Sequence, residues 1–211
     1  NGVDVDAFAP PRSPLEISDR EALRREWGWE DLPILLLIAH NFRLKGLDTL
    51  LAAAALERRA GRRWGVVVAG AGEIARYVAR AKRLGIADSV LFLGDRPDPR
   101  PVYRAADVYV QPTYYDPCSL VVLEALACGL PVVTSKFNGA GELLEPGREG
   151  FVVADPGDAA RLAATLAPLA DAAVRGRMGE AARALAERNS FERNCQALVQ
   201  LYATARRRRA A

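Results

Sequence analysis

Residues Gln111–Glu142 read QPTYYDPCSLVVLEALACGLPVVTSKFNGAGE. The order is a strand end, a polar loop, a strongly apolar helix, a Gly-Leu-Pro break, a second strand and a glycine-containing loop. Two acids, Asp116 and Glu124, stand eight positions apart. Glu124 is the one charge between Leu120 and Ala127. A lone carboxylate on so apolar a helix is costly to bury without a partner. A ligand is a natural reason to carry that cost.

The pattern repeats on either side of this stretch. Pro33-ILLLIA is a continuous apolar run, the mark of a strand covered by helices on both faces of a parallel sheet. Trp64-GVVVAG, Val90-LFLG, Val108-YVQP, Pro131–Thr134 and Gly150-FVV supply five more strands. Between them the sequence predicts helices over Leu47–Arg59, Glu73–Leu84 (stopped by Gly85), Val102–Ala106, Ser119–Ala127 and Ala140–Leu144. Residues 1–15 are Pro-punctuated and read as an extended linker. From Asp158 the pattern turns wholly helical: Asp158–Leu169, Val174–Glu187, and Phe191–Ala205 with Ser190 as N-cap. The expectation is one α/β domain over residues 1–211, a Rossmann-like, doubly wound, parallel six-stranded sheet with C-terminal helices over 158–211. In such sheets ligands sit outside the carboxyl ends of the strands.

Composition narrows the classes. The 211 residues are half apolar and 26% charged, which suits a folded soluble domain rather than a disordered chain. No apolar run approaches the roughly 20 residues that span a bilayer. The opening NGVDVDAF has neither the basic start nor the apolar core of a signal peptide. Cys118, Cys128 and Cys195 form no CxxC and leave one unpaired, so reduced thiols and a cytoplasmic setting are expected. His40 is the single histidine and lies far from Cys118 in sequence, which disfavours a thiol nucleophile. A net charge of +3 does not argue for nucleic acid. The terminal run Arg206–Arg209 reads either as a solvated end, the preferred reading, or as a contact with the anionic inner membrane face.

The strand-end loops carry the candidate chemistry. After the first strand comes His40-Asn41-Phe42-Arg43-Leu44-Lys45-Gly46. Two cations at a helix start make an anion site, Arg gripping in two places and Lys acting as a point charge. Two solvated surface cations would give the same pattern. After the second strand, Gly70-Ala71-Gly72 would let backbone approach a ligand, although G-x-G without a third glycine is also ordinary turn chemistry. The third strand ends in Gly94-Asp95-Arg96, another glycine turn. In the fourth loop the free amides of Ser119, Leu120 and Val121 lie between the two acids, and Ser119 to Glu124 spans roughly 7.5 Å along a helix. Carboxylate, anion-binding amides, carboxylate is an order that fits a nucleoside-diphosphate sugar. The bland alternatives are an Asp-Pro turn former for Asp116 and a locally bonded helix acid for Glu124.

At these residues the chain resembles the C-terminal, donor-binding domain of a GT-B glycosyltransferase of the large retaining family 4. The family pattern is an acid, seven residues, then Glu, followed by Ala-small-Gly-x-Pro-Val-Val. It appears here as Asp116-PCSLVVL-Glu124-ALACGLPVV. Asn1-Gly2-Val3-Asp4, Lys45-Gly46, Gly70-x-Gly72, Leu91-Phe92-Leu93-Gly94, Tyr103-x-x-Ala106-Asp107, Gly150-Phe151-x-Val153 and Ser190-Phe191 continue the match. Arg43-Leu44-Lys45-Gly46-Leu47-Asp48 and Phe137-Asn138-Gly139-Ala140 are most similar to the branch with lipopolysaccharide-core glucosyltransferases.

The resemblance implies retaining transfer of a hexose from a nucleotide-diphosphate sugar, often a uridine one, to an acceptor hydroxyl. Arg43 and Lys45 would hold the diphosphate and Asp116 the sugar hydroxyls. Glu124 would take the ribose diol, and the backbone around Cys118, Ser119 and Leu120 the phosphates. Gly70 and Gly72 would line the donor, and backbone near Arg96 would read the base. No cofactor and no metal are expected, since the candidate loops carry no DxD motif. The acceptor, a glycan or lipid, would be bound by an N-terminal domain absent from this chain, which makes the chain a fragment and an inactive one by itself. Departures are Asp for the usual Glu at 116, and Ala39-His40 in place of the usual Gly-Arg. Competing readings are a non-catalytic nucleotide-binding module, a GT-B nucleotide-sugar epimerase, which a single histidine disfavours, and a flavodoxin-like or receiver fold, in which Glu124 has no task.

Overall fold

The computed structural model describes residues 1–210, with side chains through residue 207. Six strands form one sheet: β1 (Ile34–Ile38), β2 (Gly65–Ala69), β3 (Val90–Gly94), β4 (Val108–Gln111), β5 (Val132–Ser135) and β6 (Gly150–Val153). Their spatial order is β3-β2-β1-β4-β5-β6 and every pairing is parallel. The helices are α1 (Pro14–Glu26), α2 (Leu47–Arg59), α3 (Ile74–Leu84), α4 (Arg100–Ala105), α5 (Leu120–Ala127), α6 (Ala159–Leu166), α7 (Ala172–Arg188) and α8 (Phe191–Ala210). The expected short helix after β5 is a 3-10 turn, Gly139–Leu143.

The apolar runs are two-sided because the sheet has a core on each face. On β1, Leu35 and Leu37 pack with residues of α2, α3 and α6, while Ile34 and Leu36 pack with residues of α4, α5 and α7. All four are fully buried. The amino end of the sheet is fastened by Asp107, just before β4. Its carboxylate accepts from Arg20 at 3.1 Å, Arg24 at 2.9 Å and the Ile34 N–H at 2.8 Å, which docks α1 beneath β1.

The N-terminal segment differs from the expectation. Helix α1 begins at Pro14, inside the stretch read as extended through residue 15. Ser13 accepts from the Glu16 N–H at 3.2 Å, and Glu16 accepts from the Ser13 N–H at 3.1 Å, closing a capping box. Proline at the first helical position loses no needed hydrogen bond, so here it opens a helix. Nor do the first residues hang free. Val3 is buried and bridges Ser190, its N–H donating to the Asn189 carbonyl at 3.2 Å while its own carbonyl accepts from the Phe191 N–H at 2.8 Å. The Arg206–Arg209 run continues α8, and the side chains of Arg208 and Arg209 lie outside the described residues.

One glycine controls how closely the loops above β1 and β4 meet. Gly46, at the start of α2, has φ +79°, and a Cβ there would stand 2.1 Å from the Pro112 carbonyl oxygen. Left-handed backbone costs a non-glycine residue of order 1–3 kcal/mol before any clash is counted. Gly46→Ala is therefore expected to lower the unfolding free energy by at least that much, read as a shifted urea midpoint. An unchanged midpoint would contradict the close approach.

Candidate active site at the reversal of strand order

The chain crosses from β1 to β2 in one direction and reaches β4 on the other side of β1. The loops that follow β1 and β4 therefore lead to helices on opposite faces, leaving a crevice at the carboxyl ends. These are the two loops the sequence singles out. They are stitched together: the Tyr114 N–H donates to the Leu44 carbonyl at 2.8 Å and the Thr113 hydroxyl to the same oxygen at 3.1 Å. Lys45 Nζ donates to Asp116 Oδ2 at 2.7 Å and to the Tyr115 carbonyl at 3.2 Å. The two side chains of the ion pair are only 18% and 13% exposed.

The Asp116 backbone is clamped from the β5 side. Its N–H donates to the Phe137 carbonyl at 3.0 Å, and its carbonyl accepts from the Gly139 N–H at 2.9 Å. Gly139 permits this contact, since a Cβ there would lie 2.0 Å from the Pro117 carbonyl oxygen. Asp116 Oδ1 accepts the Cys118 N–H at 3.2 Å, an Asx turn that aims the chain into α5.

At the N-cap of α5, the Ser119 side chain does not cap the helix. Its hydroxyl donates instead to Gln111 Oε1 at 2.9 Å, which also receives Asn138 Nδ2 at 3.3 Å. Asn138 further donates to Thr134 Oγ1 at 3.0 Å. This buried network leaves the first amides of α5 uncapped by any side chain, with the positive end of the helix dipole facing the crevice. Gln111 Nε2 is buried and has no hydrogen-bond partner among the described residues.

Glu124 lies further along α5 and is half-buried. Its carboxylate accepts the Tyr103 hydroxyl at 2.8 Å. Burial pushes the Glu124 pKa above the ordinary carboxylate value, and the Tyr103 hydrogen bond opposes this in part. Tyr103, from α4, is fully buried, and burial likewise raises its own pKa. Tyr109 on β4 donates to the Ile38 carbonyl at 3.3 Å. Burial raises its pKa most, the hydrogen bond to Ile38 lowers it, and the charges of Glu124 and Asp116 add to the rise.

Lys45, Asp116, Cys118, Ser119 and the exposed Leu120 thus gather on one rim. Arg43 is exposed on the same loop as Lys45 and lines clefts on both sides of it, one toward Tyr114 and one toward Gly72. Arg96 is exposed beyond the end of β3, on the same rim but two strands from β1, and is not joined to the Lys45–Asp116 pair. Gly70 and Gly72 also have an internal reason for being glycine. A Cβ on Gly70 would meet the Ala39 carbonyl oxygen at 2.0 Å, and one on Gly72 the Phe42 ring at 2.4 Å. The sequence reading assigned no role to Tyr103, Gln111, Asn138 or Gly139. Tyr103 stands within the Tyr103-x-x-Ala106-Asp107 motif, but nothing local indicates that its hydroxyl reaches a helix 21 residues away.

Residues 19–185 match the family Glycosyl transferases group 1, and the chain belongs to it. It is 36% identical over 219 residues to a D-inositol 3-phosphate glycosyltransferase of Corynebacterium jeikeium strain K411, covering 95% of this chain and 50% of that protein. The chain spans about half the length of the curated relatives it matches. Among solved structures, Anabaena Alr3699/HepE in complex with UDP-glucose superposes with a TM-score of 0.82 at 27% identity, over 96% of this chain and 56% of that one. WaaG, a glycosyltransferase involved in lipopolysaccharide biosynthesis, superposes with a TM-score of 0.76 at 28% identity, over 88% and 50%. The domain is one half of a GT-B fold. No helix among the described residues is long and apolar enough to cross a membrane.

Glu124 yields a pH-dependent stability test. Its folded pKa is raised, so its contribution to stability is complete below its unfolded value, about 4.3, and is lost as pH rises through the higher folded value. Glu124→Gln carries no such loss. It is expected to melt at a higher temperature than the wild type at pH 7, with the gap closing toward pH 4. A gap that is constant with pH would contradict a desolvated carboxylate.

Proposed function

We propose that this chain is the donor-binding domain of a retaining, family 4 hexosyltransferase that uses a uridine-diphosphate hexose. The observation that carries the proposal is the bracketing of the uncapped start of α5 by two partly buried carboxylates, one of them ion-paired to Lys45. The diphosphate lies against the α5 amides, with Arg43 and Lys45 as counter-charges. Glu124 accepts the ribose diol, Asp116 faces the transferred sugar, and the backbone beside Arg96 meets the base. The chemistry asked of this half is electrostatic. As the anomeric bond breaks, negative charge grows on the departing phosphate, and fixed cations and oriented N–H groups stabilise it without reorganising.

No protein-held metal enters this scheme. The acceptor hydroxyl, on a glycan or lipid, comes from a second domain, and transfer occurs at the cytoplasmic face of the membrane. The UDP and UDP-glucose complexes of the Anabaena protein support the donor class, and the lipopolysaccharide enzyme supports the wider setting. The curated relatives, named for inositol 3-phosphate, support a small polyol acceptor as readily.

The test is titration of the chain with UDP by calorimetry. Hydrogen bonds to a charged carboxylate contribute about 1.5–3 kcal/mol each, so Glu124→Ala is expected to weaken UDP by about tenfold or more. Equal affinity in wild type and variant would remove the ribose assignment.

A further inference from the structure

We propose that Asp116 and Lys45 form an exchange pair that makes the site prefer an intact nucleotide-sugar over the nucleoside diphosphate left after transfer. The proposal rests on the donor-site reading above and adds to it a rule about when Lys45 becomes available.

Lys45 is engaged within the protein itself. Its ammonium donates to Asp116 Oδ2 at 2.7 Å and to the Tyr115 carbonyl at 3.2 Å, in surroundings that leave each side chain of the pair less than a fifth exposed. A diphosphate seated on the α5 amides draws that ammonium toward itself. Only one member of the pair is free to move. The Asp116 backbone is held on both sides by the Phe137 carbonyl and the Gly139 N–H, and Oδ1 is held by the Cys118 N–H. Lys45 has a flexible four-carbon stem and a point charge that needs no fixed angle. So Lys45 swings and Asp116 stays.

What Asp116 then meets depends on the ligand. Removing the partner of a poorly solvated charge is more costly than the pair was worth. UDP offers Asp116 no donor and brings further negative charge beside it. UDP-glucose offers sugar hydroxyls, which replace the ammonium with new charge-assisted hydrogen bonds. The cost of opening the pair is therefore repaid only when a sugar is attached. Donor binds, and the diphosphate product is rejected as Lys45 returns to Asp116.

Asp116→Asn separates these events, because the neutral amide keeps its size but releases Lys45. Affinities for UDP and UDP-glucose are measured by calorimetry on the wild type, Asp116→Asn, Lys45→Ala and the double variant. Wild type is expected to prefer UDP-glucose. Asp116→Asn is expected to bind UDP about tenfold more tightly than wild type does, and to lose most of the preference. In the Lys45→Ala background the same change is expected to tighten UDP clearly less, since it then relieves only the repulsion between Asp116 and the diphosphate and no ammonium remains to be released. Should Asp116→Asn misfold by circular dichroism, Asp116→Ser, which keeps an acceptor for the Cys118 N–H, replaces it with the same expectations. Unchanged or weaker UDP binding by the Asp116 variant, or an equal gain without Lys45, overturns the exchange while leaving the donor site standing. Wild type that binds neither ligand overturns both.

Discussion

The ion pair between Lys45 and Asp116 joins the two loops on either side of the point where strand order reverses, and the rest of the site is arranged around it. Parallel strands force the chain to leave each strand at the same edge, so six loops crowd one rim while their helices divide between two faces. The β1–β4 pairing starts the two loops side by side, and contacts beyond the sheet fix their spacing. Gly46 lets them touch, the Leu44 carbonyl takes two donors from the far loop, and the ion pair closes the seam.

A site made this way is electrostatically unfinished. Ser119 gives its hydroxyl to Gln111 and so forgoes capping α5. Glu124 has a tyrosine hydroxyl for company, and burial makes its charge costly. Both features cost the domain stability, and both would be relieved by one elongated ligand with an anionic middle and hydroxyl-bearing ends. Local frustration of this kind, set on rigid strands and a helix start, is what an unsaturated binding site requires.

Much of this was legible in the sequence because it rests on local chemistry. The two-sided apolar runs mark parallel strands, Gly85 stops α3 in the left-handed conformation, and the acids at 116 and 124 flank a helix start. The family pattern through this stretch was legible for the same reason. Helix α1 is less legible because the prolines through residue 14 suggest an extended segment, although Ser13 and Glu16 spell a capping box around Pro14. What stayed hidden depends on distance in the chain. Asn138 meets Gln111 across 27 residues, Tyr103 meets Glu124 across 21, and Lys45 meets Asp116 across 71. No periodicity encodes such meetings. The internal contacts of Gly70 and Gly72 were hidden in the same way: the neighbours that exclude a side chain there are Ala39 and Phe42.

The central claim is that a pyrophosphate sits on the start of α5, in the crevice between the β1 and β4 loops. The most direct measurement is a backbone amide NMR titration of the chain with UDP-glucose. The account predicts the largest shift changes at Gly46, Cys118, Ser119, Leu120 and Val121, with smaller changes near Gly72 and Arg96. Changes centred instead at the opposite end of the sheet, around Arg20, Arg24 and Asp107, would contradict it.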